Sequence, residues 1–403
     1  MQLNLDFIRQ QFPIFQTELG QKIGFFDNAG GSYPAATTVN RLTDFYTNYK
    51  VQPYGNNPIA QKAGEAMDLG RHTMADLLNV SIDELTIGAS STQNLNTLAA
   101  ACKSIVTKDT EVIISEQDHE ANIGGWERLC RQQGATLRIW KVDPQSGELW
   151  LEDLEQLVND KTKVVAVTHS SNIIGTINPI NQIAKIIEPF GSRLVVDGVS
   201  FAPHEIPNLE ELKADAYVFS TYKTYGTHQG VMVVRKEFLG ELDPQCHFFN
   251  RPIQYKWLDS AGPDHASIAA LAGIGEYFSA VYEHHFQEDD LPLHEKTRKA
   301  SHIMNAYEQM ISGHLLDGLR ELPLRIYGKN TMEGREATIS LRSEKYTSKE
   351  MIDALSNYNI AAKNSHFYAY RLLRTMKVKD LDCLLYTSPS PRDATLSRMP
   401  SSA

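Results

Sequence analysis

The amino-acid sequence predicts an α/β protein: a largely parallel sheet covered by helices, followed by a second, smaller domain. Three observations lead there. Between Glu111 and Val234, short β-branched apolar runs alternate with amphipathic helical stretches, the pattern of repeated βαβ units. The length, 403 residues, exceeds what one small core needs and suits a large domain with a smaller companion. After about residue 285 the chain becomes more charged and its apolar runs shorten.

In chain order, the expected strands are VIIS (112–115), KVVAVTH (163–169), RLVVD (193–197), AYVFS (216–220) and GVMVV (230–234). Helices fall between most of them. LEDLEQLV (151–158) and NQIAKIIEPF (181–190) carry apolar residues at three- and four-residue spacing, and Gly191 stops the second. Only nine residues separate AYVFS from GVMVV, too few for a helical crossover, so this pair is expected to run antiparallel. A long helix is expected over 265–285. The final stretch, 383–403, is rich in Ser and Pro without periodicity and resembles translated adapter sequence. It is expected to be a non-native tail, with the small domain's own last strand and helix missing.

Composition narrows the function. A formal net charge of -10 with no long basic run gives no footprint for nucleic acid or an anionic membrane surface, which leaves a small-molecule substrate. The first residues lack the basic and apolar regions of a signal peptide, and no stretch approaches the roughly 20 apolar residues of a membrane span, so a cytoplasmic protein is expected. Cys102, Cys130, Cys246 and Cys383 are far apart and form no CxxC pair. Buried free thiols are expected, with neither a disulfide framework nor a metal site.

Ligands of open α/β sheets sit at the carboxyl ends of the strands. Asp197 ends RLVVD, His119 follows VIIS, Asn172 follows KVVAVTHSS, and Ser220 and Lys223 follow AYVFS. This topology gathers them around one crevice. No GxGxxG follows a strand and no GxxxxGK[ST] occurs, which removes the dinucleotide and P-loop readings. A phosphate site remains at GASSTQNLN, where Ser90, Ser91 and Thr92 precede a helix and offer hydroxyls and backbone amides. Taken alone, such a cluster is as well explained by N-capping.

Six segments in order, FFDNAGGSYP, GASSTQNLN, SEQDHEANIGGW, HSSNIIGTINPI, VVDGVSFAPH and VFSTYKTYGTHQGVMVV, resemble the class V aminotransferase and cysteine desulfurase family of pyridoxal-phosphate (PLP) enzymes. The likeness covers roughly residues 5 to 382 and is nearest the cysteine desulfurase-like branch. It implies fold-type I: a mainly parallel seven-stranded sheet sandwiched by helices, plus a smaller α+β domain. The implied organisation is an arm over 1–22 packing with the small domain, a large PLP-binding domain over 23–285, a small domain over 286–382 and the tail beyond. It also implies a homodimer with the active site at the subunit interface.

By this resemblance Lys223 in STYKTYG is the Schiff-base lysine, whose amine exchanges with the substrate's and then carries the α-proton. Its uncharged surroundings between two apolar strands also argue against a solvated surface lysine. Asp197 is the partner of the pyridine nitrogen, His119 the ring stacked on the cofactor, and Asn172 the neighbour of its phenolic oxygen. Ser91, Thr92 and Ser220 fall at phosphate contacts, and Asn28 in FDNAGG at the substrate pocket.

Five positions depart from the family pattern. Ser200 stands for a glutamine, Tyr222 for a histidine before the lysine, and Pro263 for the threonine that reaches the partner's phosphate. In NIAAKNSHFYAYRLL, Lys363 stands for the substrate-carboxylate arginine, and five residues later Tyr368 replaces the cysteine that accepts sulfur. A phenol cannot take up sulfur as a persulfide. Lys363 and Arg371 are the remaining candidates for a substrate carboxylate. Three readings follow: a β-lyase removing sulfur or selenium from a small amino acid, an aminotransferase, or a PLP-binding protein without catalysis.

Overall fold

The computed structural model describes residues 2–287 and 291–387. After a short β1 (Gly24–Phe25), the chain lays down β2 (Leu85–Gly88), β3 (Glu111–Ser115), β4 (Thr136–Trp140), β5 (Thr162–Thr168), β6 (Arg193–Asp197), β7 (Ala216–Ser220) and β8 (Gly230–Val234). These last seven form one sheet in the order β2-β8-β7-β6-β5-β3-β4. From β4 to β7 all pairs are parallel, whereas β8 is antiparallel to both β7 and β2. The nine-residue link therefore does reverse the chain.

β3, β7 and β8 are buried along their whole length. Both faces of the sheet are covered, which is why these strands read as unbroken apolar runs. Val165, Val196 and Phe219 pack into one core, and Val164, Val195 and Val218 into the other. β4 escapes the sequence reading because it is an edge strand. Only Trp140 of its residues is buried, and Arg138 pairs across the edge with Glu111. The long helix expected at 265–285 is two helices, His265–Ala270 and Ala272–His285.

The smaller sheet contains β9 (Leu324–Tyr327), β10 (Thr338–Ser343), β12 (Lys363–Ser365) and β13 (Cys383–Thr387) in the order β12-β13-β10-β9, all antiparallel. β13 corrects the expected start of the tail. Cys383–Thr387 lie between two partners and are buried throughout, because CLLYT supplies an apolar run that the Ser/Pro-rich stretch after it obscures. The rest of the expected tail, 388–403, lies outside the described residues.

The N-terminal arm also differs from expectation. The Asn4 amide donates to His285 Nε2, Phe7 stacks on His284, and Phe12 packs edge-on against Tyr225 and Tyr277. These aromatic contacts hold residues 4–12 on the large domain. The chain then joins the C-terminal part of the fold, where β1 pairs with β11 (Ile360–Ala361) in a separate two-stranded parallel sheet. No helix among the described residues is long and apolar enough to cross a membrane.

Candidate active site

Two adjoining cavities open at the carboxyl ends of β3, β5, β6 and β7. The larger, about 380 Å³, lies between the sheet and the small domain, with Asn28, Lys363, Ser365, Phe367, Tyr368 and Thr387 in its wall. The smaller, about 280 Å³, reaches Ser90, Ser91, Thr92, Asp197 and Ser220. His119, Asn172, Ser200, Tyr222 and Lys223 line both. Lys223 thus stands where a group held in one cavity meets a molecule held in the other.

The smaller cavity ends on the helix Ser91–Ala101. Ser90 caps it, its hydroxyl accepting from the Gln93 amide. The helix start abuts β8 so closely that a Cβ at Gly230 would come within 2.4 Å of the Ser90 and Ser91 backbone. Ser91 Oγ donates to the Phe219 carbonyl at 2.7 Å and lies 2.8 Å from Ser220 Oγ. Ser91 and Ser220, two of the three hydroxyls expected at a phosphate, therefore also tie the helix to the end of β7.

Asp197 is buried at the tip of β6, where one oxygen accepts from the Val199 amide at 2.9 Å. Burial raises its pKa, against the Val199 hydrogen bond and the Lys223 charge. Burial lowers the Lys223 pKa, against the attraction of Asp197. Each is held nearer neutrality than in water. His119 Nδ1 accepts from the Ala121 amide at 3.0 Å, and burial, then the charges of Lys223 and His366, push the ring down to about 4. It is a neutral imidazole at pH 7. Tyr222 stacks on His228 at 4.7 Å, and Gly31, at φ +130°, passes so close that a Cβ would meet the Tyr222 ring at 2.8 Å.

The loop that carries Lys363 and Tyr368 closes the larger cavity. Asn172 Nδ2 donates to the Phe367 carbonyl at 2.8 Å, and the Glu120 amide donates to the Tyr368 carbonyl. Phe367 and Tyr368 both adopt positive φ, 45° and 60°, and the Tyr368 ring sits 5.0 Å from His119. Arg371 does not join this wall. Its guanidinium bonds Glu120 and Glu127 at 2.9 and 2.7 Å, so its charge is already satisfied and it fastens the loop to the large domain. The expectation of a substrate-binding Arg371 is corrected accordingly. Pro263 lies in an exposed loop, and the next residue, Asp264, caps the helix His265–Ala270.

No thiol replaces the missing one. All four cysteines are free and buried, and burial raises Cys102, raises Cys130 to about 11 and raises Cys383 to about 12. Sequence reasoning overlooked His204, Glu308, Thr338 and Thr387 in the larger cavity. His204 ends the segment VVDGVSFAPH beyond a strand tip and was open to detection. Glu308, in the middle of the helix Leu293–Arg320, carries no local signal.

A sheet of this order with a lysine, a carboxylate and a helix start converging at its strand tips defines a class of enzyme with an amine-bearing, phosphate-sized site. Residues 24–250 match the aminotransferase class-V family. The chain belongs to that family of PLP-dependent enzymes. It is 31% identical over 384 residues to the aminotransferase-like protein FGM3 of Gibberella zeae, covering 92% of this chain and 90% of that one. It is 28% identical over 391 residues to a cysteine desulfurase of Escherichia coli, covering 93% and 91%. Among solved structures it resembles the apo cysteine desulfurase of Thermococcus onnurineus, with TM-score 0.84 at 20% identity over 98% of this chain and 95% of that one. The cysteine desulfurase CsdA of Escherichia coli matches with TM-score 0.80 at 20% identity, over 97% and 94%.

Proposed function

We propose that this protein binds PLP in the smaller cavity and acts on a small amino acid in the larger one, as a lyase that releases sulfur or selenium from the β-carbon without an enzyme persulfide. The observation that carries the reading is Lys223 at the junction of the two cavities, with Tyr368 rather than a thiol above it. The residues present fit the cofactor. The Ser90-capped helix start offers backbone amides to a phosphate, Asp197 offers a buried carboxylate to a ring nitrogen, and the neutral His119 ring offers a flat face.

When bound, PLP withdraws electrons from the substrate α-carbon. Lys223, whose pKa burial lowers against the attraction of Asp197, takes the α-proton. Lys363, in the cavity wall, offers its ammonium to the substrate carboxylate, and Asn28 lines the same cavity. The loop fastened by Arg371 forms one wall of the larger cavity. Likeness to an aminotransferase-like relative keeps amino-group transfer as a second reading. Purified protein should absorb near ~420 nm, and Lys223→Arg should lose that band and essentially all turnover. Sulfide from cysteine supports the lyase, keto acid formed stoichiometrically with an acceptor's amine supports transfer, and a spectrum that amino acids never perturb would sink both.

A homodimer in the cytoplasm belongs to the same proposal. Phe248 and Phe249, in contact with each other, are 80% and 63% exposed, an apolar surface suited to a second copy. Free buried cysteines suit a reducing compartment.

A further inference from the structure

The larger cavity holds an acid that the steps above leave unused. His204 lies seven residues beyond Asp197, and its ring lines the cavity together with Glu308. His204 Nδ1 is 2.9 Å from Glu308 Oε2 and 4.0 Å from Glu336 Oε2, and the three side chains are 8%, 1% and 2% exposed. Glu308 fixes the Nδ1 proton, which leaves Nε2 as the ring's second site. Among the described residues no hydrogen bond engages Nε2.

Burial opposes a charge on this ring, but Glu308 and Glu336 outweigh burial and carry the imidazole to about 9, with Lys223 opposing them from the same cavity. Glu336 is itself raised to about 7, by burial first, with His204 pulling it down and Glu308 and Glu205 adding to the rise. Two histidines thus face the cavity in opposite states. His119 is neutral, and His204 is an imidazolium.

We propose that His204 is the general acid that protonates the group leaving the substrate's β-carbon, with Glu308 as its positioning residue; this rests on the lyase reading above. Lys223 removes the α-proton, and the electron pair of the broken Cα–H bond becomes the second Cα–Cβ bond. The Cβ–S bond breaks with its pair on sulfur, which takes the Nε2 proton and departs as hydrogen sulfide. His204, left neutral, regains a proton from water. The unsaturated amino acid is hydrolysed to keto acid and ammonia, so no oxidant or reductant is required. Such an acid replaces the sulfur acceptor that Tyr368 cannot be.

The test compares two leaving groups. Cysteine loses a basic thiolate, whereas β-chloroalanine loses chloride and needs no proton. In the holoenzyme, His204→Gln should lower kcat on cysteine by about 100-fold while chloride release and α-deuterium exchange stay within about threefold of wild type. Glu308→Gln, which keeps the side-chain volume, should give a smaller loss of the same selectivity. In cofactor-free protein, the histidine NMR signal absent from His204→Gln should titrate near about 9, and lower in Glu308→Gln. Equal losses on both substrates, with folding intact by circular dichroism, overturn the role. Wild-type protein that eliminates neither group overturns the lyase reading itself, and this role with it.

Discussion

Lys223 and Asp197 illustrate how a site is prepared by burial at the level of single residues. Each ionises less readily than in water because water has been removed, and each is a countercharge that partly offsets that loss in the other. In the proposed function Asp197 would hold the ring nitrogen of bound PLP and keep it an electron sink, so Asp197→Asn should retain a fraction of cofactor binding yet lose about 100-fold or more in kcat, measured by absorbance and steady-state assay together. His204 bears on stability. Its folded pKa, about 9, stands above the ordinary ~6.5, so its ion pair is fully present below pH ~6.5 and is lost as pH rises through about 9. Melting temperature should therefore fall over that window in wild type and fall less in His204→Gln. An identical slope in both would show that the ion pair contributes nothing.

Secondary-structure elements meet the site at close approaches. The helix Ser91–Ala101 can touch β8 only because residue 230 has no side chain. Gly230→Ala forces its Cβ against backbone rather than a movable side chain, and should cost about 1–3 kcal/mol and weaken cofactor binding together, read by thermal melting and PLP titration. The loop over the larger cavity is held from outside by Arg371. Arg371→Ala removes two partly exposed ion pairs worth about 1 kcal/mol between them after solvent screening. The expected result is a raised KM for the amino acid and faster proteolysis within 363–370, with the cofactor spectrum unchanged. A guanidinium that bound substrate directly would leave proteolysis untouched.

For the whole molecule, the exposed aromatic pair Phe248 and Phe249 is expected to be covered by a second copy. Replacing Phe248 and Phe249 by Ser should shift the mass measured by light scattering from dimer to monomer; an unchanged mass would place the interface elsewhere.

The sequence by itself determined five of the seven central strands and the residues at their tips. Strands buried on both faces must be apolar throughout, so β3, β5, β6, β7 and β8 are visible as runs, and Asp197, His119 and Lys223 follow from where those runs stop. Tyr368 was equally legible, since the chemistry of a phenol is fixed by its identity. The tertiary structure alone decided the rest. Edge strand β4 lacks an apolar run, and β13 is recognisable only once β10 and β12 stand on either side of it. Arg371 reads as a free charge until Glu120 and Glu127, more than 240 residues away in sequence, are folded against it. His204 and Glu308 are 104 residues apart, and only a packed core brings an imidazole and a carboxylate to 2.9 Å. Local patterning specifies what a residue can be paired with, but long-range packing selects the pair.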